Sequence, residues 1–166
     1  MRSRTAASLD PRPFAVGHFP RVRFTSAASG GETGREEGES LALDVLIAED
    51  EPSILESLEF ILKRAGFSCS TVTDGNAVLT AVRRLQPRMV LLDVMLPKQS
   101  GFEVLKQIRA DALTSALPVL ILTAKGQQQD RRIAEELGAD SFVTKPYANA
   151  DVVGAVRRLL GEPAKT

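Results

Sequence analysis

The residues best suited to chemistry in this chain stand where apolar runs end. The stretch "DVLIAEDEP", residues 44 to 52, drives four apolar residues into Glu49, Asp50 and Glu51. Asp93 follows "RMVLL", Thr123 follows "LPVLIL", and Thr144 and Lys145 follow "DSFV". Neighbouring carboxylates raise the cost of ionising one another, so three beside a buried strand call for a cation among them. Asp50 and Asp93 offer hard oxygen donors of the kind Mg²⁺ prefers. A carboxylate neutralised in this way can attack an electrophile such as a phosphoryl group. A hydroxyl and an ammonium, here Thr123 and Lys145, are then the groups wanted on the phosphoryl oxygens. Glu51 has a plainer use, because negative charge favours the start of a helix.

For these side chains to meet, the strands that carry them must be parallel and end on one edge. The pattern from Asp44 onward supplies such strands. "PSILESLEFILKRAG" has apolar residues at 54, 55, 58, 61, 62 and 65, the spacing of one helical face, with Pro52 in its first turn and Gly66 as its stop. "FSCSTV" reads as a strand, "GNAVLTAVRRLQP" as a helix ending before Pro87, and "RMVLLD" as a continuous apolar strand. "SGFEVLKQIRAD" is an amphipathic helix, "LPVLILT" a strand, "QQDRRIAEELG" a helix, "DSFVT" a strand and "NADVVGAVRRLLG" a last helix. Strict alternation predicts an α/β fold, a five-stranded parallel sheet with helices on both faces. The unbroken apolar strands agree, since central parallel strands are covered on both sides. Ligands of such sheets bind beyond the carboxyl ends of the strands.

Bulk composition excludes several other classes. Lys and Arg balance Asp and Glu at 21 each among 166 residues, so no overall bias toward nucleic acid or anionic membrane exists. No apolar run approaches the roughly 18 residues of a membrane span. Cys69 is the one cysteine, which rules out an internal disulfide and fits a reducing compartment. His18 is the one histidine, and it lies outside the alternating pattern. Residues 1 to 43 carry no apolar periodicity and read as a disordered N-terminal extension. Its first 31 residues hold five Arg and one acid, a composition also found in transit peptides and anionic-surface tethers. Residues 162 to 166 form a short tail.

From Asp44 to Gly161 the chain resembles the receiver domain of bacterial two-component response regulators, including the stand-alone CheY-like members. The matching pieces are "LIAEDEP", "VLLDVMLPKQSGFEVL", "VLILTAKGQQQD" and "LGADSFVTKPY", in family order and spacing. The resemblance implies a flavodoxin-like fold with strand order 2-1-3-4-5, the order known for CheY. It implies that Asp93 is the phosphoacceptor, and that Mg²⁺ is bound by Asp50, Asp93 and the Met95 backbone carbonyl, and by Glu49 through water. Thr123 would follow the phosphoryl group, Lys145 would bind it, and Phe142 would be the switch aromatic. A cis Lys145–Pro146 bond and a tight path through Gly101 are expected as well. Glu49 stands where the family often has Asp, which lengthens that arm. Met95 and Lys125 would flank the phosphoryl site.

The function implied is a signalling switch in the cytoplasm. A sensor histidine kinase or histidine phosphotransfer protein would phosphorylate Asp93 and thereby change binding to a downstream protein. The chain would catalyse only its own phosphorylation and dephosphorylation. A phosphate sink, a phosphorelay intermediate and a degenerate receiver acting as an interaction module are the alternatives. Only "EPAKT" follows Gly161 and the leading residues carry no helix-turn-helix pattern, so a single-domain receiver without DNA binding is expected. The face of the fourth helix, fifth strand and fifth helix would be the output surface, with a phosphorylation-dependent homodimer as one use of it. Arg83-Arg84, Arg131-Arg132 and Arg157-Arg158 read as solvated helix faces, and Cys69 and Tyr147 as packing residues. Haloacid-dehalogenase-type phosphatases use similar groups, but their nucleophile precedes the acid pair and carries a second Asp two residues on, where this chain has Met95. Neither GxGxxG nor GxxxxGK[ST] occurs.

Overall fold

The computed structural model of the protein describes residues 42–124 and 128–163. The readings made above for residues 1–41, including His18, and for Lys125 lie outside the described residues. Five strands and five helices alternate: β1 (Val45–Ala48), α1 (Pro52–Arg64), β2 (Cys69–Val72), α2 (Gly75–Leu85), β3 (Met89–Asp93), α3 (Gly101–Ala110), β4 (Val119–Ala124), α4 (Gln128–Glu136), β5 (Ser141–Lys145) and α5 (Asn149–Leu160). The strands form one parallel sheet in the order β2-β1-β3-β4-β5. The alternation expected from the sequence and the strand order implied by the resemblance are both met.

The unbroken apolar strands are explained by what covers each face. Leu46, Ala48, Val90, Leu92, Val119 and Ile121 point to one side, where Val78 and Val82 of α2, Val104 and Ile108 of α3 and Ala134 of α4 pack on them. Val45, Ile47, Met89, Leu91, Leu120 and Leu122 point to the other, against Leu58 and Leu62 of α1 and Val152 and Val156 of α5. Successive strand residues alternate faces, so both sets must be apolar. Twelve large side chains are fully buried in these two layers, all Leu, Ile or Met. Each contributes about 1.5–3 kcal/mol through burial.

Local signals set where the helices begin and end. Pro52 opens α1. Gly66 closes it at φ +98°, and the Phe67 N–H returns to the Leu62 carbonyl. Asp74 caps α2 by accepting from the Ala77 N–H at 3.0 Å. Ser100 and Glu103 form a reciprocal capping box at α3. Gly161 ends α5 at φ +69°. Each helix therefore starts just beyond the carboxyl end of a strand, which gathers the loops of one edge around the same crevice.

Two arginines tie the opposite edge together. Arg109 of α3 donates to the carbonyls of Gly138, Ser115 and Leu117 and to the Asp140 carboxylate at 2.7 Å. Arg88 bridges Asp44 at 2.9 Å and the Leu160 carbonyl, joining the start of β1 to the end of α5. Among the described residues, no helix is long and apolar enough to cross a membrane.

Candidate functional site

Glu49 and Asp50 leave β1, Asp93 ends β3, Thr123 is the penultimate residue of β4 and Lys145 ends β5. The parallel register sets Asp93 beside Leu122, and Thr123 beside Thr144. Carboxylate oxygens of Glu49, Asp50 and Asp93 all lie within 4.8 Å of one another. Glu49, Asp93 and Thr123 are buried, with relative exposures of 1%, 5% and 3%, whereas Asp50 is exposed. A charged pair at the base with one acid facing solvent makes a crevice that a small hydrated cation can enter.

The cation that the acid cluster requires is partly built in. The Lys145 Nζ donates to Glu49 Oε2 at 2.7 Å and stands 3.3 Å from Asp93 Oδ2. Burial works against the Lys145 ammonium, yet the hydrogen bond to Glu49 and the charges of Asp93 and Glu49 outweigh it and raise its pKa. Burial likewise pushes the Glu49 carboxyl up, against the opposing pull of Lys145 and of the Glu51 N–H, which donates to Glu49 Oε1 at 3.0 Å. One ammonium among three carboxylates still leaves net negative charge. The donor set, three carboxylates with one open to solvent, fits Mg²⁺ by its chemistry.

Backbone geometry around Asp93 is tightly constrained. The Gly101 N–H donates to the Val94 carbonyl at 2.9 Å, and a Cβ at Gly101 would stand 2.2 Å from the Asp93 carbonyl oxygen. Only glycine permits that approach. The Lys145–Pro146 bond is cis, as expected. Met95 is exposed at 70% on the loop between β3 and α3. The Thr123 hydroxyl is 3.5 Å from that of Thr144.

A model of the response regulator receiver domain matches residues 45–157. The chain belongs to this family. Over 116 residues it is 44% identical to the sensory transduction protein RegX3 of Mycobacterium tuberculosis, covering 70% of this chain and 50% of that protein. Over 125 residues it is 41% identical to the DNA-binding response regulator MtrA of Mycolicibacterium smegmatis, covering 73% of this chain and 54% of the other. Among solved structures it is similar to the receiver domain of sensor histidine kinase PA1611 from Pseudomonas aeruginosa, a structure with a magnesium ion coordinated in the active site cleft. That match has a TM-score of 0.67 and 26% identity, covering 73% of this chain and 99% of that one. The receiver is the signalling domain of two-component response regulators, and the family binds Mg²⁺ in its acidic site.

These relatives correct one expectation. MtrA is a DNA-binding response regulator, and a relative at 40% identity, PhoP of Bacillus subtilis, is a transcriptional regulatory protein. The receiver without DNA binding, expected from the short tail, is therefore not supported. This chain spans about half the length of those proteins. The physical reason is that a receiver's sequence is dictated by its own core and acid crevice, which are alike whatever module the receiver controls.

Two contacts at the site had no signal in the sequence strong enough to find them. Phe142 is half-buried, and the Arg131 guanidinium lies over its ring at 3.9 Å. Arg131 is itself exposed, in keeping with the solvated face expected for Arg131-Arg132. Lys98 adopts φ +67° and donates to Asp74 Oδ2 at 3.0 Å, joining two loops of the crevice. The sequence reading began this helix at Gly75 and marked neither Asp74 nor its partner. Packing was the expected role of Cys69 and Tyr147. Both are half-buried against the α1–α5 side of the core. Burial pushes the Cys69 thiol up to about 11, so it is not a thiolate at neutral pH.

Proposed function

We propose that residues 44–161 form a switch operated by phosphorylation of Asp93. The phosphoryl group comes from the phosphohistidine of a sensor histidine kinase or histidine phosphotransfer protein. An Asp93 carboxylate oxygen forms the new P–O bond as the P–N bond to the imidazole breaks, and the imidazole keeps the electron pair and takes a proton from water. The observation that carries this reading is the Lys145 ammonium 3.3 Å from Asp93 Oδ2 in a buried crevice. A lysine there steadies the carboxylate before transfer and pairs with the phosphoryl oxygens after it. Mg²⁺, held by Asp50, Asp93, the Met95 carbonyl and, through water, Glu49, would supply neutralisation of charge on the transferring group. The chain turns over no other substrate.

Thr123 gives the site its readout. Its hydroxyl, buried near the end of β4, hydrogen-bonds the phosphoryl group and is drawn toward Asp93. Phe142 on the neighbouring strand β5 then moves into the vacated space and remodels the face of α4, β5 and α5. Phosphorylation favours this state only as far as Thr123 and Lys145 bind the phosphoryl group better in it. The test is labelling by acetyl phosphate with Mg²⁺. The parent protein becomes labelled and Asp93→Asn does not. Equal labelling of both would place the acceptor elsewhere.

A further inference from the structure

The loop between β3 and α3, residues 94–100, must hold its shape if the backbone beside Asp93 is to take part in metal binding. Val94 and Leu96 anchor it in the core, whereas Met95, Pro97 and Lys98 are all exposed. Beyond Leu96 its exposed stretch is held from across the crevice, by the start of α2. The Gly75 N–H donates to the Pro97 carbonyl at 3.1 Å. A Cβ on Gly75 would stand 2.0 Å from the Gln99 carbonyl oxygen, so the two backbones are in direct contact. Beside this contact Lys98 takes a left-handed conformation, φ +67°, which is strained for a non-glycine residue. Its ammonium reaches Asp74 Oδ2 at 3.0 Å, while Asp74 Oδ1 accepts from the Ala77 N–H as the cap of α2. One carboxylate thus holds the helix start with one oxygen and the loop with the other.

We infer that Asp74 and Lys98 are positioning residues for metal binding: their ion pair fixes the loop that carries Met95 two residues beyond Asp93. This rests on the reading of Glu49, Asp50, Asp93 and Met95 as the Mg²⁺ site. Neither residue touches the acid cluster. Their effect runs through the backbone, and that separates it from a simple charge effect. Lys98→Met removes a positive charge and Asp74→Asn a negative one. Acting through charge alone, the first would strengthen binding of a cation and the second would weaken it. Acting through the loop, both weaken it.

The test is an amide NMR titration with Mg²⁺ on the full chain, with a thermal melt of each variant. Asn keeps the helix cap, so Asp74→Asn spares α2. Each single variant is expected to bind Mg²⁺ about two- to fivefold more weakly, the size set by an exposed ion pair. The double variant should be no weaker than either single one, because the second change removes a pair already broken. Effects of opposite sign, fully additive losses, or unchanged affinity in both variants overturn this inference alone. A parent protein with no saturable shifts at Asp50 and Asp93 overturns the metal reading, and this inference with it.

Discussion

Lys145 and Glu49 meet across 96 positions of sequence, Nζ to Oε2 at 2.7 Å, and the same ammonium stands 3.3 Å from Asp93. The site is thus a buried carboxylate pair bridged by one lysine, with Asp50 at its open side. In a crevice organised in this way the chain's own lysine offsets part of the repulsion among the acids.

Lys145→Met should destabilise the protein at neutral pH by about 2 kcal/mol. This is below the roughly 3–5 kcal/mol for breaking a fully buried pair, because Lys145 keeps some exposure. The folded pKa of Lys145 is raised above 10.5. Its contribution is therefore fully present below 10.5 and is lost as pH climbs through the higher folded value. Urea midpoints of parent and variant should converge at strongly alkaline pH. A gap that stays constant across that range would show that the lysine acts by packing and not by charge.

Asp50→Asn should weaken Mg²⁺ binding by about tenfold and slow labelling of Asp93, since it removes the one exposed carboxylate of the cluster. It should also raise stability in metal-free buffer by a few tenths of a kcal/mol, because one like charge is relieved. Titration by NMR and a metal-free melt check both parts. Equal Mg²⁺ affinity in variant and parent would remove Asp50 from the ligand set.

Gly101→Ala should cost about 2–4 kcal/mol, the range for a backbone clash that cannot relax locally. The added Cβ would stand 2.2 Å from the Asp93 carbonyl oxygen and 2.9 Å from Val94 Cα, and both are backbone atoms. Chemical denaturation measures the loss, and a change under 1 kcal/mol would mean that the loop has more freedom than its contacts indicate.

Thr123→Ala should still accept phosphoryl at Asp93 but transmit it poorly. The resting hydroxyl has only a 3.5 Å contact with Thr144 to lose, so stability should fall by about 1 kcal/mol or less. In the parent, beryllofluoride with Mg²⁺ should shift amides at Phe142 and along α5. In the variant these remote shifts should shrink while those near Asp93 remain. Parent shifts confined to the neighbourhood of Asp93 would favour a phosphate sink over a switch.

Much of the molecule is decided within short stretches of sequence. The apolar runs ending in Glu49, Asp93, Thr123 and Lys145 need two-sided cover, and the intervening helical periods provide it. Strand–helix alternation and the edge that gathers the polar ends follow from that requirement. So do the helix limits at Pro52, Gly66, Asp74 and Ser100, because capping and left-handed closure are local matters. Tertiary structure decided how the gathered groups pair. The acid cluster alone demanded a cation, and only the fold shows Lys145 meeting part of that demand. Asp74 with Lys98, Arg109 with Asp140 and Arg131 with Phe142 join different elements. No rule of local spacing connects such residues, and their pairing depends on where two loops or helices come to rest after the core has packed.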